Sequence, residues 1–377
     1  MRIKHLDYFL LFIVILVLIL GISFLATISA PSSIKRFGTT NYYWIHQLVY
    51  GILPGFILGL IAFLIPLTFI RKVSPILLLL NLIALVLIFL PLLGLNFWGA
   101  SRWLKIGGIV IQPSEFLKIT AILYLSSLLR NKLNYQARGI GILKSKKAFH
   151  NLKEVFLPFL FFLAIISVIF ICQPDISTLG IIGLTMVAIY FVSSMPKWHI
   201  ALIILIAILS LFILVKFEPY RLSRLTTFLN PETDPLGAGF QSKQALIAVG
   251  SGGLSGIGLG MSSQSGFLPQ SMSDSTFAVF AEETGFVGCL ILIALFIMFL
   301  WAGLAIAKHT DDKFGQLVAL GITFWILLQG FVNISSMIGI FPLTGIPLPF
   351  ISYGGSHIIS ELIGVGLLLN IARHTKY

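Results

Sequence analysis

Tyr8-Phe-Leu-Leu-Phe-Ile-Val-Ile-Leu-Val-Leu-Ile-Leu-Gly-Ile-Ser-Phe-Leu-Ala26 contains no charged side chain. A helix rises 1.5 Å per residue, so about 20 such residues cross the hydrocarbon core of a bilayer. The preceding Met1-Arg-Ile-Lys-His5 gives the stretch the look of a signal peptide. Its apolar run is too long for a signal h-region, and no convincing cleavage site follows, so it reads as a retained first span.

The rest of the chain follows the same pattern. Of 377 residues, 58% are hydrophobic and 10% charged, with a mean hydropathy of +1.02. Soluble domains carry roughly 25% charge, so a water-soluble enzyme of this length is excluded. Phe occurs 32 times and no short repeat is present, which excludes fibrous, collagen-like and disordered chains. Ten apolar segments are expected to span, near 8–29, 47–70, 75–97, 113–129, 155–172, 176–194, 199–216, 276–306, 317–340 and 356–372. The fold class is an all-α integral membrane protein, a single polytopic domain over 1–377. A large extracytoplasmic loop, about 217–275, separates spans seven and eight. The eighth segment exceeds one span and must tilt, bend or begin outside the membrane.

The net charge of +12 does not indicate nucleic acid, because the basic residues collect in short loops beside spans. With both termini in the cytoplasm, 16 of the 25 Lys and Arg fall inside, including Arg71, Lys72, Lys197, Lys308, Lys313 and Arg373. Eight fall outside, the orientation that basic loops favour. The two cysteines, Cys172 and Cys289, form no C-x-x-C motif, and the seven histidines show no ligand spacing.

Charged groups within a span cost about 2.5–3.5 kcal/mol on insertion scales and are functional candidates by default. Glu115 and Lys118 share one helix face, either as a self-neutralising pair or with Lys118 free to hold an anionic head group. Glu282 and Glu283 point about 100° apart, so at least one faces a polar cavity or caps the span. Glu361 reads as a packed hydrogen-bonding residue. Asp175, in Gln173-Pro-Asp175, is either a helix N-cap or a substrate or metal ligand. Asp274 is either an N-cap or a general base at the mouth of an outer cavity. The run Gly250-Ser-Gly-Gly-Leu-Ser-Gly-Ile-Gly-Leu-Gly260 lacks the Gly-Lys-Ser/Thr ending of a phosphate loop, so close backbone packing or a re-entrant turn is expected.

Several strings together resemble the SEDS family (shape, elongation, division and sporulation), peptidoglycan glycosyltransferases of the FtsW/RodA type. They are Gly99-Ala-Ser-Arg102-Trp103, Gln112-Pro-Ser-Glu115-Phe-Leu-Lys118, Gln173-Pro-Asp175 and Asn230-Pro-Glu-Thr-Asp234-Pro-Leu-Gly-Ala-Gly-Phe-Gln241. The glycine run, Asp274 with Phe277-Ala-Val-Phe-Ala-Glu282-Glu283, and Pro347-Leu-Pro-Phe-Ile-Ser352-Tyr-Gly-Gly-Ser356 complete the set. They occur in family order over roughly 94–370.

The resemblance implies inverting polymerisation of lipid II outside the cytoplasmic (inner) membrane, with undecaprenyl pyrophosphate leaving. It implies Asp274 as the essential catalytic carboxylate and candidate general base. Arg102, Lys105, Lys118, Glu115, Asp175, Gln241 and Ser352 are candidates for substrate binding. Mg²⁺ or Mn²⁺ is a candidate cofactor at Asp274 and Asp175, with no nucleotide or organic cofactor. The implied partners are a class B penicillin-binding protein and the division or elongation machinery, with a leaning to the division branch. Gln270, Met272 and Ser273 depart from the Glu, His and Thr usual before the acid. A lipid II flippase and a non-catalytic scaffold for a transpeptidase are the competing functions.

Overall fold

A computed structural model describes residues 7–97, 100–138, 152–193, 198–199, 201–206, 226–235 and 237–375. The described residues form eleven α-helices and a three-stranded sheet. Helix α1 (Tyr8–Phe37) is capped by Asp7, whose side chain accepts from Leu10 N at 3.0 Å, and ends at Gly38 in the left-handed region. A second span, Tyr42–Leu64, consists of α2 (Tyr42–Gln47), a π-helical turn and α3 (Leu53–Leu64). Then come α4 (Leu67–Leu87), α5 (Pro113–Arg138), α6 (Leu157–Cys172) and α7 (Ile176–Val192). Helix α8 (Ala238–Ser251) lies in the long loop, followed by α9 (Thr276–His309), α10 (Lys313–Met337) and α11 (Gly355–Ala372).

Among the described residues, six helical segments are long and apolar enough to cross a membrane, and α6 and α7 are shorter apolar helices. The surfaces are inverted relative to a soluble protein. Phe69, Ile76, Leu80, Ile83 and Val86 of α4 are exposed, while Glu115, Lys118, Gln329, Asn333, His357 and Glu361 are buried. The protein is a multi-pass membrane protein.

Two expected spans are corrected. Segments 47–70 and 75–97 become 42–64 and 67–87, because the break falls at Pro66 and not at Arg71-Lys72. Ile65 is extended (ψ 133°), as the residue before a proline prefers. The expected seventh span, 199–216, lies outside the described residues beyond 206, as does the start of the long loop.

In the outer connection after the third expected span, residues 94–97, 100–106 and 109–111 form an antiparallel meander of β1 (Gly94–Phe97), β2 (Ala100–Ile106) and β3 (Ile109–Ile111). Ile106 pairs with Ile109 across Gly107-Gly108, whose φ values are +55° and +92°. Positive φ at both central residues is what a tight hairpin requires.

Glycines set the closest helix contacts. A Cβ on Gly59 of α3 would lie 2.6 Å from Leu362 O of α11, and one on Gly366 would lie 2.1 Å from Gly59 O. Gly51, Gly55 and Gly59 recur every fourth residue on that face, the small-residue spacing that lets membrane helices approach.

Candidate functional site

The turn before α9 presents Asp274. Gln270 is left-handed (φ 54°), and its carbonyl accepts from Ser273 N at 2.9 Å and Ser275 N at 3.2 Å. Ser275 occupies the cap position of α9, so Asp274 stands one residue outside the helix. Three neighbours fix the turn. Asn333 Nδ2 of α10 donates to Asp274 O at 2.8 Å and to Ile346 O at 2.7 Å. Ser352 Oγ donates to Ser273 O at 2.5 Å and accepts from Leu348 N at 2.9 Å. Tyr353 N donates to Met272 O at 2.8 Å. The Pro347–Tyr353 segment is thereby strapped to the acid-bearing turn, and Asp274 itself is half-buried.

Opposite this turn stands β2. Arg102 Nε donates to Gln173 O at 3.5 Å and its Nη2 donates to Pro174 O, which ties the sheet to the α6–α7 corner. Asp175 caps α7, accepting from Thr178 N at 3.3 Å and from Thr178 Oγ1 at 2.9 Å.

Arg102, Trp103, Gln112, Glu115, Asp175, Asp274, Tyr353 and His357 are among the residues that line one cavity of about 580 Å³. That volume matches a small-molecule site. An acid and a guanidinium held by main-chain carbonyls therefore share its walls.

A buried polar cluster lies behind this wall. Lys118 Nζ sits 2.8 Å from both Glu115 Oε2 and Gln329 Oε1, and 5.3 Å from the Trp325 ring centroid. His357 Nδ1 is 3.3 Å from Glu115 Oε2, and its Nε2 is 3.2 Å from Glu361 Oε1. Glu361 Oε2 accepts from Phe350 N at 2.8 Å and so anchors a residue with φ +62°. Removing charges from water is costly unless each is paired and hydrogen-bonded, and every member of this cluster has partners.

The structure therefore divides the expected site residues. Asp274, Arg102, Glu115 and Asp175 face the cavity. Lys118 is buried behind Glu115, and Lys105 is exposed on β2 away from the cavity wall. Ser352 is a buried strap, and Gln241 Nε2 donates to Ser275 Oγ at 3.0 Å, so both act on the turn. Gln329, Asn333, Tyr353 and His357 were not anticipated from the sequence. Single polar residues in apolar runs carry no local pattern, and Gln329 meets Lys118 across 211 positions.

The glycine run packs into a break in α9, as expected of close backbone packing. Gly285 is non-helical (φ 67°, ψ −167°). Around it, Gly258 N donates to Glu283 O at 3.1 Å, and Phe286 N donates to Gly253 O at 2.9 Å. The Glu282 carboxylate accepts from Ser262 Oγ at 2.5 Å, Ser263 Oγ at 2.9 Å and Ser263 N at 3.2 Å. This bend answers the excess length of the eighth segment, and Glu282 is the acid that holds a polar loop.

Among the described residues no three His, Cys, Asp or Glu side chains group to hold a metal ion. The Asp175 carboxylate is engaged by its own helix. Asp274 lines the cavity, and one or two carboxylates completed with substrate phosphates are a common way to bind Mg²⁺.

Together these features define a polytopic membrane protein with one acid- and arginine-lined cavity at the ends of its helices. The chain belongs to the FtsW/RodA/SpoVE family of cell cycle proteins, whose model matches residues 8–377. It is 35% identical over 375 residues to stage V sporulation protein E of Bacillus subtilis, covering 98% of each chain. It is 36% identical over 363 residues to a probable peptidoglycan glycosyltransferase FtsW of Coxiella burnetii, covering 95% of this chain and 94% of that one. The fold matches the rod shape determining protein RodA of Thermus thermophilus, with TM-score 0.68, 23% identity and 98% coverage of both chains. It also matches a chain from a structure described as a peptidoglycan synthase complex coordinating polymerization and crosslinking. There the TM-score is 0.79, with 24% identity and 97% coverage of both chains.

Proposed function

We propose that the protein is a peptidoglycan glycosyltransferase that polymerises lipid II on the outer face of the cytoplasmic membrane, in cell division or elongation. The observation that carries this reading is the shared cavity of Asp274 and Arg102 in a chain of this family. The acceptor 4-hydroxyl attacks the anomeric carbon of the lipid-linked chain. An O4–C1 bond forms, the C1–O bond to pyrophosphate breaks, and undecaprenyl pyrophosphate leaves with the electron pair. The hydroxyl proton passes to the Asp274 carboxylate. A positioned base is worth about 10²–10⁴ in rate. One displacement converts an α-linked pyrophosphate into a β-1,4 bond, so a single base suffices.

Arg102 faces the leaving group. Two of its nitrogens are held by carbonyls, which fixes the plane of a guanidinium suited to phosphate oxygens. A divalent ion at Asp274 would add positive charge beside the same phosphates. Lys118 serves as the buried counter-charge to Glu115.

Basic residues support the orientation. Arg71, Lys72, Lys308, Lys313 and Arg373 lie at the helix ends opposite the cavity, which the rule for basic loops assigns to the cytoplasm. The match to a chain of a synthase complex supports a crosslinking transpeptidase as partner. A carrier would need a polar path to the other face. Among the described residues the polar cluster closes at Lys118, against Gln329 and Trp325, and this disfavours the flippase reading.

The test is polymer formation from purified lipid II by the protein with its transpeptidase partner, against Asp274→Ala. Polymer from the wild type and none from the variant is expected. Equal polymer from both removes Asp274 as the base, and no polymer from the wild type under several metals returns the protein to a carrier or scaffold role.

A further inference from the structure

A cavity of about 580 Å³ is the size of a site for one drug-sized ligand. It accommodates the reacting sugars, whereas a polymer must continue out of it over the protein surface. Tyr353, an aromatic side chain of the cavity wall, leads outward into further rings.

Tyr353 packs edge-on against Tyr43, with ring centroids 5.4 Å apart. Tyr43 meets Phe37 at 5.7 Å and Tyr42 at 5.5 Å, and Phe37 and Tyr42 stack at 3.6 Å with an interplanar angle of 16°. His46 joins from the side, 6.0 Å from Tyr42 and 4.8 Å from Tyr50. The track begins in the cavity and ends on exposed rings, Phe37 at 46%, Tyr42 at 40% and Tyr50 at 57%.

The track is also fixed in place. Arg36 Nη1 donates to the Tyr43 hydroxyl at 3.1 Å, Tyr353 Oη lies 2.9 Å from His46 Nδ1, and Gly354 N donates to Gln47 Oε1 at 3.1 Å. Gly38, left-handed at φ +72°, turns the chain between α1 and α2 so that Phe37 folds back onto Tyr42. Burial, with the neighbouring Tyr43 and Tyr42 phenols, pushes the Tyr353 hydroxyl up to about 12, so it stays un-ionised.

Aromatic rings at a membrane interface usually serve as anchors. Phe9 and Trp301, 5.3 Å apart at the opposite ends of α1 and α9, fit that role. The Phe37–Tyr353 group differs in being contiguous, rigid and continuous with a reaction cavity. Flat apolar faces rimmed by hydroxyl, imidazole and guanidinium groups complement an amino-sugar chain, whose rings present C–H faces and whose edges present hydroxyls and amides.

We propose that the exposed rings of Phe37 and Tyr42, joined through the buried Tyr43 to Tyr353 at the cavity, form a docking track for the β-1,4-linked N-acetylhexosamine chain as it extends from the cavity. The identity of that chain rests on the glycosyltransferase reading above. A preformed track lowers the ordering cost of binding each added unit, and its effect is to hold the growing strand through successive additions.

Two measurements test the track, using the full chain in nanodiscs. Chitohexaose binding is measured by surface plasmon resonance for the wild type, Phe37→Ala/Tyr42→Ala and Trp301→Ala. Removing one stacking ring weakens binding by about two- to tenfold, so the double variant binds severalfold more weakly while Trp301→Ala matches the wild type. Product lengths from lipid II are then compared on gels, and the double variant yields shorter strands. The two substituted rings are exposed, so folding is retained.

No chitohexaose binding by the wild type, equal binding by the double variant, or equal loss in Trp301→Ala overturns the track. Unchanged strand lengths from an active double variant also overturn it. Absence of all polymer from the wild type counts against the glycosyltransferase reading, and the binding measurement then decides the track alone.

Discussion

The side-chain amide of Asn333 donates to the main-chain oxygen of Asp274 at 2.8 Å, from a helix 59 residues further along the chain. The same nitrogen donates to Ile346 O at 2.7 Å. One buried amide in α10 thus joins the acid-bearing turn to the segment that crosses beneath it. Its role is to set the position of Asp274, since its hydrogen bonds go to the backbone and not to the carboxylate.

Asn333→Ala should accordingly lower the turnover of polymerisation about tenfold with little change in the lipid II concentration for half-maximal rate. Each lost hydrogen bond costs about 0.5–1.5 kcal/mol, so a melting temperature lower by a few degrees should accompany it. Steady-state kinetics with a thermal melt in the same detergent checks both. A variant with full turnover would show that Ser352 and Tyr353 hold the turn without Asn333.

Much of this arrangement was legible from the sequence. Apolar runs gave the membrane class, and the order of the polar motifs brought Asp274, Arg102, Glu115 and Asp175 to one face. Other features carry a local signal that is easily passed over. Gly107-Gly108 between Trp103-Leu-Lys-Ile106 and Ile109-Val-Ile111 marks a hairpin, Pro66 marks a helix break, and Gly51, Gly55 and Gly59 mark a packing face. The third group has no local signal. Gln329, Asn333 and His357 gain their meaning from partners brought near by helix packing. Lys118 shows the same limit, because its spacing to Glu115 fits a cavity residue and a buried pair equally well.

The glycine run offers a paired stability test. Gly256 has φ +80°, and a Cβ there would lie 2.1 Å from Glu283 O, a main-chain atom. Gly253 has φ +54° with nothing within 4 Å. Gly253→Ala should cost only the left-handed strain of about 1–2 kcal/mol. Gly256→Ala adds an overpacking cost of about 1–3 kcal/mol and should melt at a clearly lower temperature. Identical melts would place the 252–260 loop off the α9 break.

Arg102 is held by Gln173 O and Pro174 O while it faces the cavity. A lysine cannot reproduce two fixed N–H directions and a planar face. Arg102→Lys should therefore lose most of the polymerisation lost in Arg102→Ala, read as polymer formed per minute at saturating lipid II. Near wild-type activity in the lysine variant would reduce the residue to a point charge.

Chelation separates the two sources of positive charge near the leaving group. Asp274 lines the same cavity as Arg102, and Mg²⁺ is often bound by one or two carboxylates completed with substrate phosphates, so Asp274 is placed to share a metal with the phosphates. EDTA should therefore abolish polymer formation, and added Mg²⁺ or Mn²⁺ should restore it. Unchanged polymer yield in EDTA would assign phosphate neutralisation to Arg102 without a metal.

The buried pair Glu115–Lys118 gives the sharpest energetic prediction. Its atoms are 2.8 Å apart and its side chains 3% and 4% exposed. Breaking such a buried pair costs up to about 3–5 kcal/mol, here with His357 at 3.3 Å as the remaining partner of Glu115, whereas replacing both with neutral groups of similar volume is often close to neutral. Lys118→Met should therefore melt many degrees below the wild type, and Glu115→Gln/Lys118→Met should recover most of that loss. His357 retains Glu361 at 3.2 Å in the double variant, so the rest of the cluster keeps a partner. Thermal melts of the three proteins in one detergent measure the cycle. If the double variant is no more stable than Lys118→Met, the ammonium acts mainly through Gln329 and Trp325, and its charge balance with Glu115 is secondary.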